Sequence, residues 1–278
     1  MRILFVSDLH TDSIYGLTPR SPENKVQSWL FETWNRFTEE YKNPDILVLN
    51  GDLCEGVQSK ILGVDANTTN TDEQVSDAVE LLEPLIGKNT KKIYGVNGSG
   101  YHGGEGLATN LDRRVTELLN GQFQGSVLEF TVGDVSIQCC HGGTSPIVNP
   151  LSYLLREMNL ARINSSKRHQ KIPNILVRSH QHEYYSVSNS IMSGYITPCW
   201  QYNTPFMYKK TVNKIPDIGA LQIETGKETK VYPILYPIPE EIHESMRGYE
   251  VILENKIQNK KKQHEKEVAD QLKKFKRL

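Results

Sequence analysis

The sequence has few cysteines and no long apolar run, and both shortages narrow the classes of protein that it can encode. The four cysteines, Cys54, Cys139, Cys140 and Cys199, show neither CxxC spacing nor a disulfide framework. We therefore expect reduced thiols and a cytoplasmic location, in preference to a thiol metal site. No stretch approaches the run of about 20 apolar residues that a membrane span needs. The apolar run before Asp8 is too short for the core of a signal peptide.

Charge of one sign is also lacking, since the formal net charge is −1 and gives no global indication of nucleic-acid binding. No internal repeat or low-complexity tract precedes the C-terminal tail. What the chain does have is 278 residues with 37% hydrophobic composition, which is enough to fill a substantial core in one large domain or two small ones.

Short apolar runs alternate with helical stretches through the first two-thirds of the chain, a pattern typical of βαβ units and a largely parallel sheet. After residue 174, short strands are separated by turn residues, and the segments around Gly133-Asp134 and Gly226-Lys227 predict hairpins. We expect one α/β domain with two facing sheets over residues 1–240. The predicted strands are 2–6, 45–50, 92–96, 136–140, 174–178, 183–188, 190–195, 218–224 and 229–236.

Four helices are predicted between these strands. Ser21-Pro22 has the form of an N-cap followed by proline at the first helical position, so a helix is expected from there to about Tyr41. Its Trp29, Leu30, Trp34 and Phe37 recur at helical spacing and are interpreted as core. Thr71-Asp-Glu-Gln74 has the form of a capping box before a second helix. The other two helices are predicted at about 107–119 and 149–164.

Residues 241–278 are predicted to form a basic helical C-terminal extension. Residues 255–278 carry nine Lys or Arg against three acidic residues, and Val268, Leu272, Phe275 and Leu278 fall at helical spacing. We interpret this segment as a solvated helix whose apolar stripe docks on the body or on a partner, which makes it a candidate surface for a homo-oligomer. An arm that tracks the phosphates of a nucleic acid is the alternative.

Five of the eight histidines, with two aspartates, come directly after or close behind the apolar runs. Ligands bind at strand ends in open α/β sheets, so ordered Asp and His there predict one convergent site. Carboxylate and imidazole together suit Zn, Mn, Fe or Ni, and the pattern predicts a metal-dependent hydrolase. The residues concerned are Asp8, His10, Asp52, His102, His141, His180 and His182.

Each element is weak by itself, but their order along the chain is specific. D-x-H at 8–10, G-D at 51–52, a G-N-H-like element at 97–102, H-G at 141–142 and H-x-H at 180–182 resemble the signature of calcineurin-like metallophosphoesterases. The resemblance covers roughly residues 2–236. It implies a four-layer α/β/β/α sandwich of two facing mixed sheets, with the helical extension beyond it.

The resemblance also implies a dinuclear metal centre, with Mn, Ni, Zn or Fe as the two divalent ions. The first metal would be held by Asp8, His10 and His182, the second by His141 and His180, and Asp52 would bridge them. His102 would be the catalytic histidine, which protonates the leaving oxygen. The implied reaction is hydrolysis of a phosphodiester, in a nucleotide or nucleic acid, by a metal-bridging hydroxide. The alternatives are a phosphomonoesterase of the same fold and a non-catalytic binding scaffold.

One element departs from the family pattern of Gly-Asn-His. Here Gly98 is followed by Ser99 at the family's Asn position, and His102 comes two residues later than in the family. This resembles a Gly-Ser-x-x-His variant of phage and prokaryotic members. Asn97, Ser99 or neither reaches the second metal. Two neighbouring residues also attract attention: Arg178 as a phosphate contact, and Trp200 either as a pocket wall or as part of the core.

Overall fold

The computed structural model describes residues 1–58, 63–102, 110–142, 149–167, 169, 171–204, 207, 214–246 and 249–275. For residues 249–254 and 270–275, only the backbone is described.

Two mixed sheets form the centre of the molecule. The first contains β1 (Arg2–Val6), β2 (Ile46–Leu49), β3 (Lys92–Gly95), β4 (Gln122–Phe123), β10 (Ile218–Glu224) and β11 (Lys230–Tyr236), in the order β11-β10-β1-β2-β3-β4. The second contains β5 (Leu128–Val132), β6 (Val135–Cys139), β7 (Ile175–Arg178), β8 (Tyr185–Ser188) and β9 (Ser193–Ile196), in the order β5-β6-β7-β9-β8. Strands β1 to β4 are parallel, and both predicted hairpins, β5–β6 and β10–β11, are present.

Helices cover the outer face of each sheet. They are α1 (Lys25–Tyr41), α2 (Thr71–Leu82), α3 (Leu111–Leu118), α4 (Pro150–Lys167) and α5 (Glu240–Met246). A sixth helix, α6 (Tyr249–Phe275), follows α5 and is largely exposed where its side chains are described. Short 3-10 turns lie at Glu83–Leu85 and Gly100–His102. No helix in the described part of the chain is both long and apolar enough to cross a lipid bilayer.

Three apolar cores separate the four layers. The inner core lies between the sheets, where Ile3 and Phe5 of β1 face Ile137 and Val177 of the second sheet. The outer faces of the two sheets are covered separately. Leu4 and Val6 alternate with the inner residues and pack beneath α1, α2, α3 and α5, whereas α4 covers the second sheet. The predicted α/β/β/α sandwich is confirmed, and burial of β1 on both faces explains its uninterrupted apolar sequence.

Strand register sets the positions of the residues that follow the strands. β1 and β2 are paired in parallel up to Val6 and Leu49, so the loops that follow them start side by side. In the second sheet, β6 and β7 are also parallel, with Cys139 opposite Val177. The backbone N–H of Ser179 donates to the carbonyl oxygen of His141 at 2.8 Å. The carboxyl ends of four strands therefore open onto one edge of the sandwich.

The first two helices begin at other residues than the sequence indicates. The N-cap of α1 is Asn24, whose side chain accepts from the backbone N–H of Gln27, and not Ser21. The N-cap of α2 is Asn70. Thr71 is consequently the first helical residue, and Gln74 is buried and bonds both the N–H and the carbonyl of Gly56. The predicted capping box is wrong because Asn70 competes successfully as a cap.

The C-terminal helix packs on the body of the protein at Ile257 and is exposed from residue 258 to residue 269. Ile242 and Met246 of α5 are buried in the outer core, whereas Ile257 is the single residue of 255–269 that is not exposed. Val268 is 40% exposed, so the predicted stripe does not dock on the body at this residue. Docking on a partner and the domain boundary at 240 stay predictions, and the side chains of Leu272, Phe275 and Leu278 lie outside the described part.

Candidate metal centre

The backbone at the strand ends has an unusual conformation. Asp8, His10, Asp52, His180 and His182 all have positive φ angles, between 45° and 73°. Each residue other than glycine held in this left-handed region costs on the order of 1–3 kcal/mol, and such residues cluster at functional sites. Backbone hydrogen bonds from the N–H groups of Asp8 and His10 to the carbonyls of Gly51 and Asp52, at 3.0 and 3.1 Å, hold the first two strand ends together.

Gly51 makes close packing of three loops possible. Its φ is +84°, and a Cβ at this position would lie 2.6 Å from Cα of Gly98 and 2.8 Å from Nδ1 of His141. Because no side chain fits there, the glycine lets Asp52 approach His141.

A first group of metal-ligating atoms comes from Asp8, His10 and His182, all buried and within 4.8 Å of one another. Nε2 of His182 lies 3.2 Å from Oδ1 of Asp8 and 3.3 Å from Nε2 of His10. Nδ1 of His10 faces Oε2 of Glu55 at 3.1 Å. A proton on this Nδ1 leaves Nε2 as the lone-pair nitrogen that points into the group.

A second group is formed by Asp8, Asp52, His141 and His180. Nε2 of His141 lies 2.9 Å from Oδ2 of Asp52 and 3.2 Å from Nδ1 of His180. Nδ1 of His141 donates to the carbonyl oxygen of Asn50 at 2.8 Å, which directs Nε2 into the group. Asp8 belongs to both groups, whereas Asp52 belongs to the second, and its predicted bridging role stays a prediction.

The donor set fits divalent cations. Oδ1 of Asp8 and Oδ2 of Asp52 are buried, and their nearest polar neighbours are imidazole nitrogens, Nε2 of His182 at 3.2 Å and Nε2 of His141 at 2.9 Å. When these imidazoles are neutral and present lone pairs, the two oxygens have no donor among the described residues, which is costly, and a cation between oxygen and nitrogen would satisfy both. Carboxylate and imidazole ligands around one point suit Mn, Fe, Ni or Zn.

Burial and charge set the protonation of these histidines. Burial lowers the pKa of His10 to about 3 and that of His182 to about 4, so both rings are neutral at pH 7. Burial acts in the same direction on His141, but the carboxylates of Asp52 and Asp8 outweigh it and raise its pKa to about 10. Without metal, His141 is therefore an imidazolium paired with Asp52. The two histidines of the first group, His10 and His182, are uncharged.

His102 lies beside the first group, on the Gly100–His102 turn. Its ring centroid is 4.3 Å from that of His10, and its Nδ1 donates to the carbonyl oxygen of Glu55 at 2.8 Å. Burial opposes protonation of His102, but Glu55 and Asp52 raise its pKa above the usual value. Its side chain is 14% exposed, so the ring is partly open to solvent. These features suit a histidine that holds a proton at the edge of the site.

Glu55 is a residue that sequence reasoning missed. Its carboxylate is buried and receives Nδ1 of His10 and Nε2 of Gln201, each at 3.1 Å. Burial raises its pKa to about 7. The sequence feature that could have indicated a role for Glu55 in the site is its position three residues after Asp52. Its contacts with His10 and His102 depend on how the chain folds.

Asn97 and Ser99 are the two candidate ligands of the second metal in the loop that departs from the family pattern, and the structure distinguishes them. The N–H and Oγ of Ser99 donate to Oδ1 of Asp52 at 2.7 and 3.1 Å. Asn97 instead accepts from Asn110 and donates to Ser126, outside both groups. Ser99, at the family's Asn position, is therefore the residue brought to the site.

Two neighbouring residues have structural contacts. Arg178 is buried, and its guanidinium donates to Gln138 at 3.0 Å and to Glu157 at 3.4 Å, so its interpretation as a phosphate contact is wrong. Trp200 is fully buried, with its ring 4.7 Å from that of Trp34, and it belongs to the core.

The fold and the site define the class of this protein as a four-layer α/β/β/α sandwich whose strand ends gather Asp and His side chains that could hold metal ions. The model of the calcineurin-like phosphoesterase family matches residues 1–198, and the chain belongs to this family. Its members bind divalent metals, and the two Asp and His groups are where this chain could bind them. None of the curated proteins compared with the chain matches it.

Several solved structures are similar to the chain at low sequence identity. Vps29 of Entamoeba histolytica complexed with Zn²⁺ is 13% identical, with a TM-score of 0.45, over 85% of this chain and 100% of that one. An archaeal phosphodiesterase is 11% identical, with a TM-score of 0.44, over 85% and 100%. A predicted phosphoesterase of Streptococcus pneumoniae is 13% identical, with a TM-score of 0.40, over 85% and 92%.

Proposed function

We propose that the protein is a dinuclear metal-dependent phosphoesterase that hydrolyses phosphodiesters of nucleotides or nucleic acids. The observation that carries this proposal is the pair of adjoining Asp and His groups that share Asp8, with His102 beside them. A binding scaffold on the same fold would not require a complete set of ligand side chains and a proton-holding histidine. We propose that the ligands are Asp8, His10, Asp52, His141, His180 and His182.

Two divalent cations held by these side chains would supply a water ionised near neutral pH and would neutralise charge on the phosphoryl oxygens. The remaining contributions come from the chain itself. Glu55 orients His10 and the carbonyl of Asn50 orients His141, so each imidazole presents Nε2. Ser99 fixes Oδ1 of Asp52 and leaves Oδ2 facing His141. His102 holds a proton for the departing oxygen.

Within this proposal, the positive charge of the C-terminal helix favours a polyanionic substrate. Lys256, Lys261, Lys262 and Lys266 are exposed, and Glu265 and Glu267 are the acidic residues among the described side chains of 255–269. Clustered lysines attract phosphates in a salt-dependent way. A homo-oligomer through this helix and a cytoplasmic location stay predictions.

The proposed function is tested with an aryl phosphodiester and the matching aryl phosphomonoester. We expect the metal-free protein to be inactive and to regain diester hydrolysis with Mn²⁺, Ni²⁺, Mg²⁺ or Zn²⁺, Mn²⁺ being the ion that we favour. The diester should be hydrolysed faster than the monoester. Elemental analysis should show two ions per chain, and an anomalous difference map should place both among the proposed ligands and tell whether Asp52 or Asp8 lies between them.

Three results would contradict parts of this proposal. A faster monoester reaction would make the protein a phosphomonoesterase. Binding of two ions without hydrolysis of either substrate would favour the scaffold. Binding of one ion or none would exclude the dinuclear centre.

Metal binding is expected to release a proton at pH 7. His141 is protonated in the metal-free protein below about pH 10, and an ion that takes its Nε2 must displace that proton. The affinity for this ion should therefore rise by up to about tenfold per pH unit between pH 6 and 9. Calorimetry in buffers of different ionisation enthalpy measures the released proton directly.

A matched variant assigns this proton. In His141→Gln the release should disappear, whereas His169→Gln, which alters a histidine outside both groups, should behave as wild type. Metal binding by the wild type without proton release would show that His141 is neutral or is not a ligand.

A further inference from the structure

Asp112 is a buried carboxylate that accepts hydrogen bonds from two separate loops. It is the second residue of α3 and is 1% exposed. Its Oδ1 accepts from the backbone N–H of Leu53 at 2.9 Å, and its Oδ2 accepts from that of Gly98 at 2.7 Å. Both of its oxygens are used by amides that lie outside its own helix.

The two amides, of Leu53 and Gly98, belong to the two chain segments that carry and bind the Asp52 carboxylate. Leu53 directly follows Asp52, and Gly98 directly precedes Ser99, whose N–H and Oγ both donate to Oδ1 of Asp52. A Cβ on Gly98 would lie 2.2 Å from Oδ1 of Asp52 and 2.9 Å from Oδ2 of Asp112. The Gly98–Ser99 backbone is therefore held between two carboxylates, since Asp112 accepts from the N–H of Gly98 and Asp52 accepts from the N–H of Ser99.

The residue type matches this arrangement. Burying a carboxylate is costly unless it is hydrogen-bonded, and here two N–H donors offset part of that cost, while burial still raises the pKa of Asp112 to about 6. An amide of the same shape offers one acceptor oxygen, so one of the two donors would face an NH₂ group. A hydrophobic residue would leave both buried N–H groups without a partner.

We infer that Asp112 is a positioning residue that holds the Asp52 carboxylate toward His141 and His180, an inference that rests on the proposed function. With Oδ1 fixed through Ser99, Oδ2 lies 2.9 Å from Nε2 of His141 and 3.9 Å from Nδ1 of His180. Release of the Gly98–Ser99 loop lets Asp52 turn away from these imidazoles. The loss of affinity falls on the second metal position, since Asp52 belongs to the second group of ligand atoms and not to the first.

The variant that tests this role is Asp112→Asn, with Asp72→Asn as its matched control. Asp72 is likewise the second residue of its helix after an asparagine cap, but its carboxylate is 76% exposed and pairs with Arg114 at 2.7 Å. The two changes remove the same charge from the same helical position. The control therefore accounts for helix-dipole and net-charge effects.

Metal-free proteins are titrated with Mn²⁺ by calorimetry. We expect Asp112→Asn to bind the second ion about 10- to 100-fold more weakly and the first ion within about threefold of wild type. Asp72→Asn should bind both ions as wild type does. NMR hydrogen exchange on the metal-free variant should show faster exchange at the amide of Leu53 or Gly98.

Three outcomes overturn the inference. Wild-type affinity of Asp112→Asn for both ions would show that Asp112 does not position Asp52, with the dinuclear proposal intact. Equal weakening at both positions is the result expected if Asp52 bridges the two ions, and it would contradict an effect confined to the second position. Fewer than two ions on the wild type would contradict the proposed function itself, and the inference with it. If Asp112→Asn does not fold, Asp112→Glu takes its place in the same titration. Because Asp112→Glu keeps both carboxylate oxygens, it should weaken binding of the second ion by less than about tenfold.

Discussion

Asp52→Asn is expected to abolish hydrolysis while the fold remains intact. The substitution keeps an oxygen that can accept from Ser99, but it replaces Oδ2 by an NH₂ group opposite Nε2 of His141. It thereby removes a negative charge from a site in which cations are to be held. We expect the rate on an aryl phosphodiester to fall by about 10³ or more. Metal content per chain and the thermal unfolding temperature are measured on the same sample.

Asp134→Asn is the control, because Asp134 lies exposed in the turn between β5 and β6. It should keep wild-type activity and stability. Activity of Asp52→Asn above about a tenth of the wild-type rate would contradict the proposed mechanism. A large loss of thermal stability without loss of metal would make Asp52 chiefly structural.

His102→Ala is expected to lower the rate by roughly 10²–10⁴ on phosphodiesters with poor leaving groups. On an aryl phosphodiester the loss should be much smaller, because an aryl oxide departs without a proton. Metal content should stay at the wild-type level, since Nδ1 of His102 is bonded to the carbonyl of Glu55 and the ring lies beside the first group. Steady-state rates on an alkyl and an aryl diester test this directly.

His264→Ala is the matched control, because His264 is exposed on α6. It should change neither rate. An equal loss on the two substrates would exclude His102 as the general acid. Loss of metal from His102→Ala would identify His102 as a ligand, which its place beside His10 and Glu55 also permits.

The fold could be predicted because the sheet interior leaves a strong local signal. β1 and β10 occupy the ranges expected from the sequence, since both are mostly apolar and are buried over all but one end residue. Helix starts were less predictable. Asn24 and Asn70 compete with neighbouring Ser21 and Thr71 for the same role, and their side chains make the stronger local bonds.

The candidate site could be predicted in part. Residues that follow strands are brought together by parallel pairing alone, and this is how Asp8 and Asp52 meet. Glu55 and Asp112 carry no comparable signal, because their roles depend on contacts between loops that are distant in sequence. The phosphate contact predicted for Arg178 is wrong for the same reason, since a charged residue at the end of a strand gives no indication that Glu157 lies beside it.

The left-handed backbone at the strand ends has a consequence for how this centre can change in evolution. Glycine adopts positive φ without the strain of about 1–3 kcal/mol that other residues bear there. Replacement of Asp8, Asp52 or His180 by glycine would therefore relieve backbone strain while it deletes a side chain of the centre. Backbone strain alone would therefore favour glycine at these positions. If the chain is under selection to hold metal ions, that selection opposes the strain, and a relative that lost it would be free to keep the sandwich without the centre.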